Sequence, residues 1–124
     1  MATIVRAINR TRGTVLCERL EQAATSRERS RGLLGRRGLE PGAGMLFVAG
    51  RLTPFLWMHM FFMRFAIDIV FLGRDGRVLK IDHRLRPWRV SSLVFGAYHA
   101  LELAEGSAER SQTQIGDQII IEPV

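Results

Sequence analysis

Asp68 stands between Ile67 and Ile69 in an apolar run, and a carboxylate in such company requires a partner or a cleft. Its nearest basic neighbour in sequence is Arg64, at an even separation that puts both on one face of a straight strand. His59 lies among Trp57, Met58, Met60 and Phe61. An Asp68/His59 pair has the groups for acid/base work on a polar substrate. The plainer readings stand beside it. Asp68 would be a structural aspartate, bonded to Arg64 or to the backbone and fixing a strand bend, and His59 would pack in or beside the core.

The remaining candidates are fewer and more scattered. Arg31 and Arg36 bracket Gly32-Leu33-Leu34-Gly35 and can present guanidinium groups to an anion, or simply cover an exposed helix face. Trp88 beside Arg86 and Arg89 has the composition of a recognition patch, unless it plugs the core beneath a long loop. His83 and His99, with Asp82 and Glu102, are capable of holding a metal, but no two share the short spacing of a zinc or iron motif. No metal and no cofactor is expected. A lone cysteine, Cys17, excludes a disulfide framework and reads as a buried apolar filler.

Short strands have to position these groups. Thr3–Ile8 and Thr14–Leu20 read as a pair around the turn 10–13. Thr25-Ser26-Arg27-Glu28 matches a capping box and predicts a helix over Ser26–Leu34, closed by Gly35 or Gly38. Met45–Ala49 is an apolar strand. Phe55–Phe62 and Ala66–Leu72 read as two strands broken near Arg64. Gly73-Arg74-Asp75-Gly76 is the clearest local signal and predicts a hairpin from Ala66–Leu72 into Arg77–Asp82. Leu85–Gly96 looks irregular, His99–Leu103 alternates, Glu105–Thr113 suggests a short helix, and Gln118–Glu122 a last strand. The expected fold is mainly β, a compact antiparallel sandwich or barrel-like domain with one or two short helices, in one domain over 1–124.

Charge narrows the function classes. The net +6 comes from seventeen arginines and one lysine against twelve acids. It divides into +6 over residues 1–60, +4 over 61–100 and −4 over 101–124, so it is diffuse and no basic arm stands out. No RNP segment, GXXG clamp or recognition helix accompanies it, so specific nucleic-acid binding is not expected. The apolar run Pro54–Leu72 is interrupted by His59, Arg64 and Asp68, which argues against a membrane span. No signal-peptide h-region opens the chain, so a soluble, cytoplasmic protein is expected. P-loop, G-x-S-x-G, H-E-x-x-H and dinucleotide fingerprints are all missing.

One ordered series of residues resembles a known family. It runs Arg31-Gly32-Leu33-Leu34-Gly35-Arg36, Gly44-Met45-Leu46-Phe47, Phe62 to Leu72, Asp75-Gly76-Arg77-Val78, Leu101 to Gly106, and Gly116-Asp117. This order is similar to that of domain of unknown function 192, over about residues 12–122. The resemblance implies a compact, mainly antiparallel β structure of sandwich type with a small helix, and it carries no activity. Ala66 stands where the family usually has proline. His59-Met60-Phe61-Phe62-Met63 resembles a variant subgroup reading His-Thr-Phe-Phe-Met-Arg, with Met60 in the threonine position.

The residues therefore support a small β domain that binds a small or extended molecule, or a partner protein. Its cleft would lie near His59, Arg64 and Asp68, with the 84–89 loop as a rim. The rivals are an enzyme built on Asp68 and His59, and a nucleic-acid accessory protein working through its arginines.

Overall fold

The computed structural model describes residues 3–22, 33, 36–48 and 55–124. Strands β1 (Thr3–Asn9), β2 (Thr14–Gln22), β3 (Ala43–Val48), β5 (Ile67–Leu72), β6 (Val78–Leu85), β8 (His99–Ala104) and β9 (Ile119–Pro123) form one sheet in the order β6-β5-β8-β3-β2-β1-β9. Strands β4 (Phe55–Leu56) and β7 (Val94–Phe95) make a separate two-stranded piece. The expected mainly-β class holds. Of the two architectures left open, the curled sheet is nearer a half-barrel than a sandwich. The predicted helix at 26–34 lies outside the described residues except Leu33, which is buried. The second predicted helix shrinks to α1 (Ser107–Arg110), one turn after the left-handed Gly106.

Most pairings are antiparallel, but β2 and β3 run parallel, which demands a crossover between them. Leu33 and Leu39, the described apolar residues of that connection, pack on the outer face of the sheet. Close approach of β3 to β8 depends on Gly44, where a side-chain carbon would sit 2.7 Å from the Glu102 carbonyl oxygen.

Period-2 alternation divides β5 and β8 between two apolar clusters. Val70, Leu72, Leu101 and Leu103 face inward with Leu16 and Leu20, whereas Ile67, Ile69, Phe71 and Ala100 face outward with Met45 and Met60. β5 is buried on both faces, which explains its nearly continuous apolar sequence.

The curled sheet closes at one end, where β6 meets β9. Arg77 bridges Gln118, the Val78 amide donates to the Asp117 carbonyl at 2.9 Å, and the Ile119 amide donates to the Gly76 carbonyl at 2.9 Å. A polar network fills this seam. The buried Asn9 side-chain amide donates to Thr113 Oγ1 at 2.9 Å and to Asp117 Oδ2 at 3.0 Å. The Arg12 guanidinium reaches both Asp117 oxygens, at 3.0 and 3.2 Å. Burial tends to raise the Asp117 carboxyl, but the hydrogen bonds from Arg12, Asn9 and the Gln114 amide prevail and hold it below the usual carboxylate range.

Candidate recognition site

Asp68 is placed by the alternation of β5 on the inner face beside Val70 and Leu72, and it is 0% exposed. Its Oδ1 accepts the Arg84 amide at 2.9 Å and its Oδ2 accepts the Ala108 amide at 2.9 Å. The Arg84 backbone is left-handed, with φ 48°, where β6 shifts register opposite Asp68 and turns its amide toward that carboxylate. One carboxylate thus ties the end of β6 and the turn of α1 to β5.

This geometry corrects the acid/base pair expected of Asp68 and His59. Asp68 is sealed from solvent and occupied on both oxygens by amides, whereas His59 is exposed and bridges Val90 on a different segment. The cleft expected to combine His59, Arg64 and Asp68 fails for the same reason. Arg64 is exposed in a bend, and β5 begins only at Ile67, so no straight strand carries 64 and 68 on one face.

What the structure does assemble is an exposed aromatic ribbon. β4 continues into residues 57–62, β7 is preceded by 88–93, and the two segments pair along their length. Trp88 and Ser91 amides donate to the Met60 and Met58 carbonyls, and the Met60 amide donates to the Arg89 carbonyl, all at 2.7 Å. Ser91 Oγ accepts the Met58 amide at 2.8 Å, while both Asp82 oxygens hold Ser92 at 2.7 Å. Met58 and Met60 turn toward the outer apolar cluster, and Trp57, His59 and Phe61 consequently turn toward solvent.

The ribbon's rings touch in series. His59 stacks on Phe61 at 4.8 Å and 21°, Phe61 lies 6.1 Å from Trp88, and Trp88 lies 4.7 Å from Phe62. Phe62 is 70% exposed and Trp88 58% exposed. Both hold left-handed backbones, φ 66° and 68°, in the turns at 61–62 and 87–88. Bulky L-residues occupy that region at a cost of about 1–3 kcal/mol each. At the far end of the ribbon Phe55 meets Phe95 edge-on at 5.8 Å, and Phe95 is 68% exposed.

The other sequence candidates fall elsewhere. Trp88 and Arg89 are exposed ribbon residues, so Trp88 does not plug the core. Arg36 Nη2 donates to Glu21 Oε2 at 2.7 Å in a half-buried ion pair. Arg31 lies outside the described residues. Burial pushes the Cys17 thiol up to about 11, and its Sγ contacts the Gly42 carbonyl at 3.3 Å. Desolvation lowers the His99 pKa, and its Nδ1 is buried without a hydrogen-bond partner among the described residues. Among the described residues no three His, Cys, Asp or Glu side chains group closely enough to hold a metal ion, and no helix is long and apolar enough to cross a membrane.

Glu102 entered the sequence reading only as a metal-capable group, and its burial was not foreseen. It is buried in β8, level with Met45 and Ile69 on the neighbouring strands, and burial pushes its carboxyl up to about 7. The signal was present in His99-Ala100-Leu101-Glu102-Leu103, where alternation sets Glu102 on the face of Ala100.

Comparison with known proteins decides the family. The profile of DUF192, described as uncharacterized ACR, matches residues 7–121. The chain is a member of the DUF192 family. A UPF0127 protein of Thermococcus sibiricus is 34% identical over 115 residues, covering 90% of this chain and 71% of that relative. A UPF0127 protein of Pyrococcus abyssi is 30% identical over 80 residues, 64% of this chain and 68% of its own.

Two solved structures share the DUF192 chain's fold. A Sinorhizobium meliloti protein, provisionally described as a transcription regulator, superposes with TM-score 0.80 at 27% identity, covering 98% of this chain and 94% of its own. A Novosphingobium aromaticivorans protein of unknown function superposes with TM-score 0.78 at 28% identity, covering 96% and 84%. The family remains uncharacterised, and none of these descriptions names a reaction.

Proposed function

We propose that this DUF192 protein is a soluble, cytoplasmic, single-domain binding module whose recognition surface is the ribbon of residues 57–62 and 88–95. Its ligand would offer apolar or planar groups together with negative charge. Of the residues first suspected, His59, Trp88 and Arg89 belong to this surface and Arg64 flanks it, while Asp68 supports the sheet behind it. The carrying observation is the chain of solvent-exposed ring contacts from His59 through Phe61 and Trp88 to Phe62. Apolar side chains gathered in one exposed patch, held in strained turns, are what interaction sites look like and what an unemployed surface avoids.

The test uses the protein's own fluorophores, because its two tryptophans, Trp57 and Trp88, both lie on the ribbon. Anilinonaphthalene sulfonate, an aromatic amphiphilic anion, is titrated while tryptophan-to-dye energy transfer is recorded. The expected result is saturable transfer, weakened at least about tenfold in a Phe62→Ser/Trp88→Ala double variant, as truncating two binding anchors would do. Unchanged dye affinity in a folded double variant removes the ribbon as the recognition surface.

A further inference from the structure

We propose that the ribbon docks on the surface of an anionic lipid bilayer, entering the headgroup layer without crossing the membrane. This rests on the ribbon being the recognition surface, and charge then selects the occupant. Residues 55–66 and 83–101 contain no aspartate or glutamate, yet carry Arg64, Arg84, Arg86 and Arg89, all exposed. Arg84 is paired with Glu109 at 3.1 Å, while Arg64, Arg86 and Arg89 have no ion pair among the described residues. A surface with apolar tips and unpaired cations complements apolar chains beneath a layer of phosphates.

Ring geometry separates lipid from a single-stranded nucleic acid. Bases stack on open aromatic faces. Here His59 and Phe61 spend facing sides on each other, and Phe62 packs against Trp88 at 4.7 Å. Aliphatic Val90 and Leu93 are also exposed, and bases have little use for them. Tryptophan, phenylalanine and arginine together are the set favoured at a lipid–water boundary. The most exposed ribbon rings stand at turns, Phe62 and Trp88 at 61–62 and 87–88 and Phe95 before Gly96, as insertion requires. A second copy of the chain fits poorly, since a two-fold interface over the ribbon would gather Arg64, Arg86 and Arg89 from both copies while residues 55–66 and 83–101 offer no carboxylate to either set.

Flotation of the full chain with vesicles tests this, using pure phosphatidylcholine and phosphatidylcholine with roughly one third phosphatidylglycerol. Expected are at least about tenfold tighter binding to the anionic vesicles, a blue shift of tryptophan emission on binding, and loss of both in Phe62→Ser/Trp88→Ala. Arg86→Gln and Arg89→Gln are each expected to weaken binding about fivefold, and added salt to weaken it further. Dye binding that persists without vesicle binding overturns the lipid assignment and leaves the recognition surface standing. Absence of both dye and vesicle binding in the unaltered chain refutes the two together. Preference for polyuridine over anionic vesicles, or a dimer that dissociates in Phe62→Ser/Trp88→Ala, overturns it in favour of nucleic acid or self-association.

Discussion

The β6–β9 seam and the aromatic ribbon treat the same problem in opposite ways. At the seam Asn9, Thr113 and Asp117 are polar and buried, and each is hydrogen-bonded, with Arg12 completing the set. On the ribbon Phe62, Trp88 and Phe95 are apolar and uncovered. A buried polar group costs little when satisfied and several kcal/mol when not, so the seam is a stability device. An exposed ring in a left-handed turn contributes nothing of that kind. The difference teaches where to look for function: the satisfied groups hold the fold, and the ribbon gathers exposed aromatic rings against their own solvation preference.

Asp68 belongs with the seam in this division, and the largest effect is expected there. Asp68→Ala leaves the Arg84 and Ala108 amides buried without acceptors, and urea unfolding should show a loss of about 2–5 kcal/mol. Asp68→Asn retains one acceptor oxygen and should lose roughly half as much. A change within about 0.5 kcal/mol for Asp68→Ala would break the comparison outright.

Glu102 tests it next, because its carboxyl is raised from 4.5 to about 7 by burial. The native state then binds the extra proton between those two values. The stabilisation from the neutral form is complete below pH 4.5, falls as pH rises toward 7, and is gone above it. Stability measured from pH 4.5 to pH 8 should therefore fall by about 3 kcal/mol, and Glu102→Gln should flatten most of that slope. An unaltered slope in the variant would assign the dependence to other groups.

The smallest effect should carry the opposite sign. Phe62→Gly relieves a left-handed phenylalanine and should leave stability unchanged or raise it by up to about 1 kcal/mol, while dye affinity drops. A loss beyond about 1 kcal/mol would mean that the ribbon holds the fold together after all.

Local chemistry made much of the fold legible. Gly73-Arg74-Asp75-Gly76 does turn β5 into β6, and β8 alternates as its sequence demands. Phe55–Phe62 shows where that legibility ends. Only Phe55–Leu56 is strand, because the rest pairs irregularly with 88–91 and turns at 61–62. Neither the parallel β2–β3 pair nor the amides that satisfy Asp68 could be read, since each depends on contacts distant in sequence. Trp88 was visible from composition alone as a candidate, and the structure places it exposed. Its contacts with Phe61 and Phe62 were not, because two separate turns create them.

The place of β1 between β2 and β9 bears on how the chain reaches this structure. β1 pairs with β2 through a short turn, but its other edge must wait for the last strand, with Ala7 opposite Ile121 and Asn9 opposite Ile119. Closing so long a loop costs more entropy than forming a hairpin, so the β1–β9 pairing is expected to form after the β1–β2 pairing. An apolar open edge invites pairing with another chain. Arg6 sits in the middle of that edge and later meets Glu122 at 2.6 Å. Wherever that edge is unpaired, the same arginine puts on it the kind of charge that disfavours pairing with another chain.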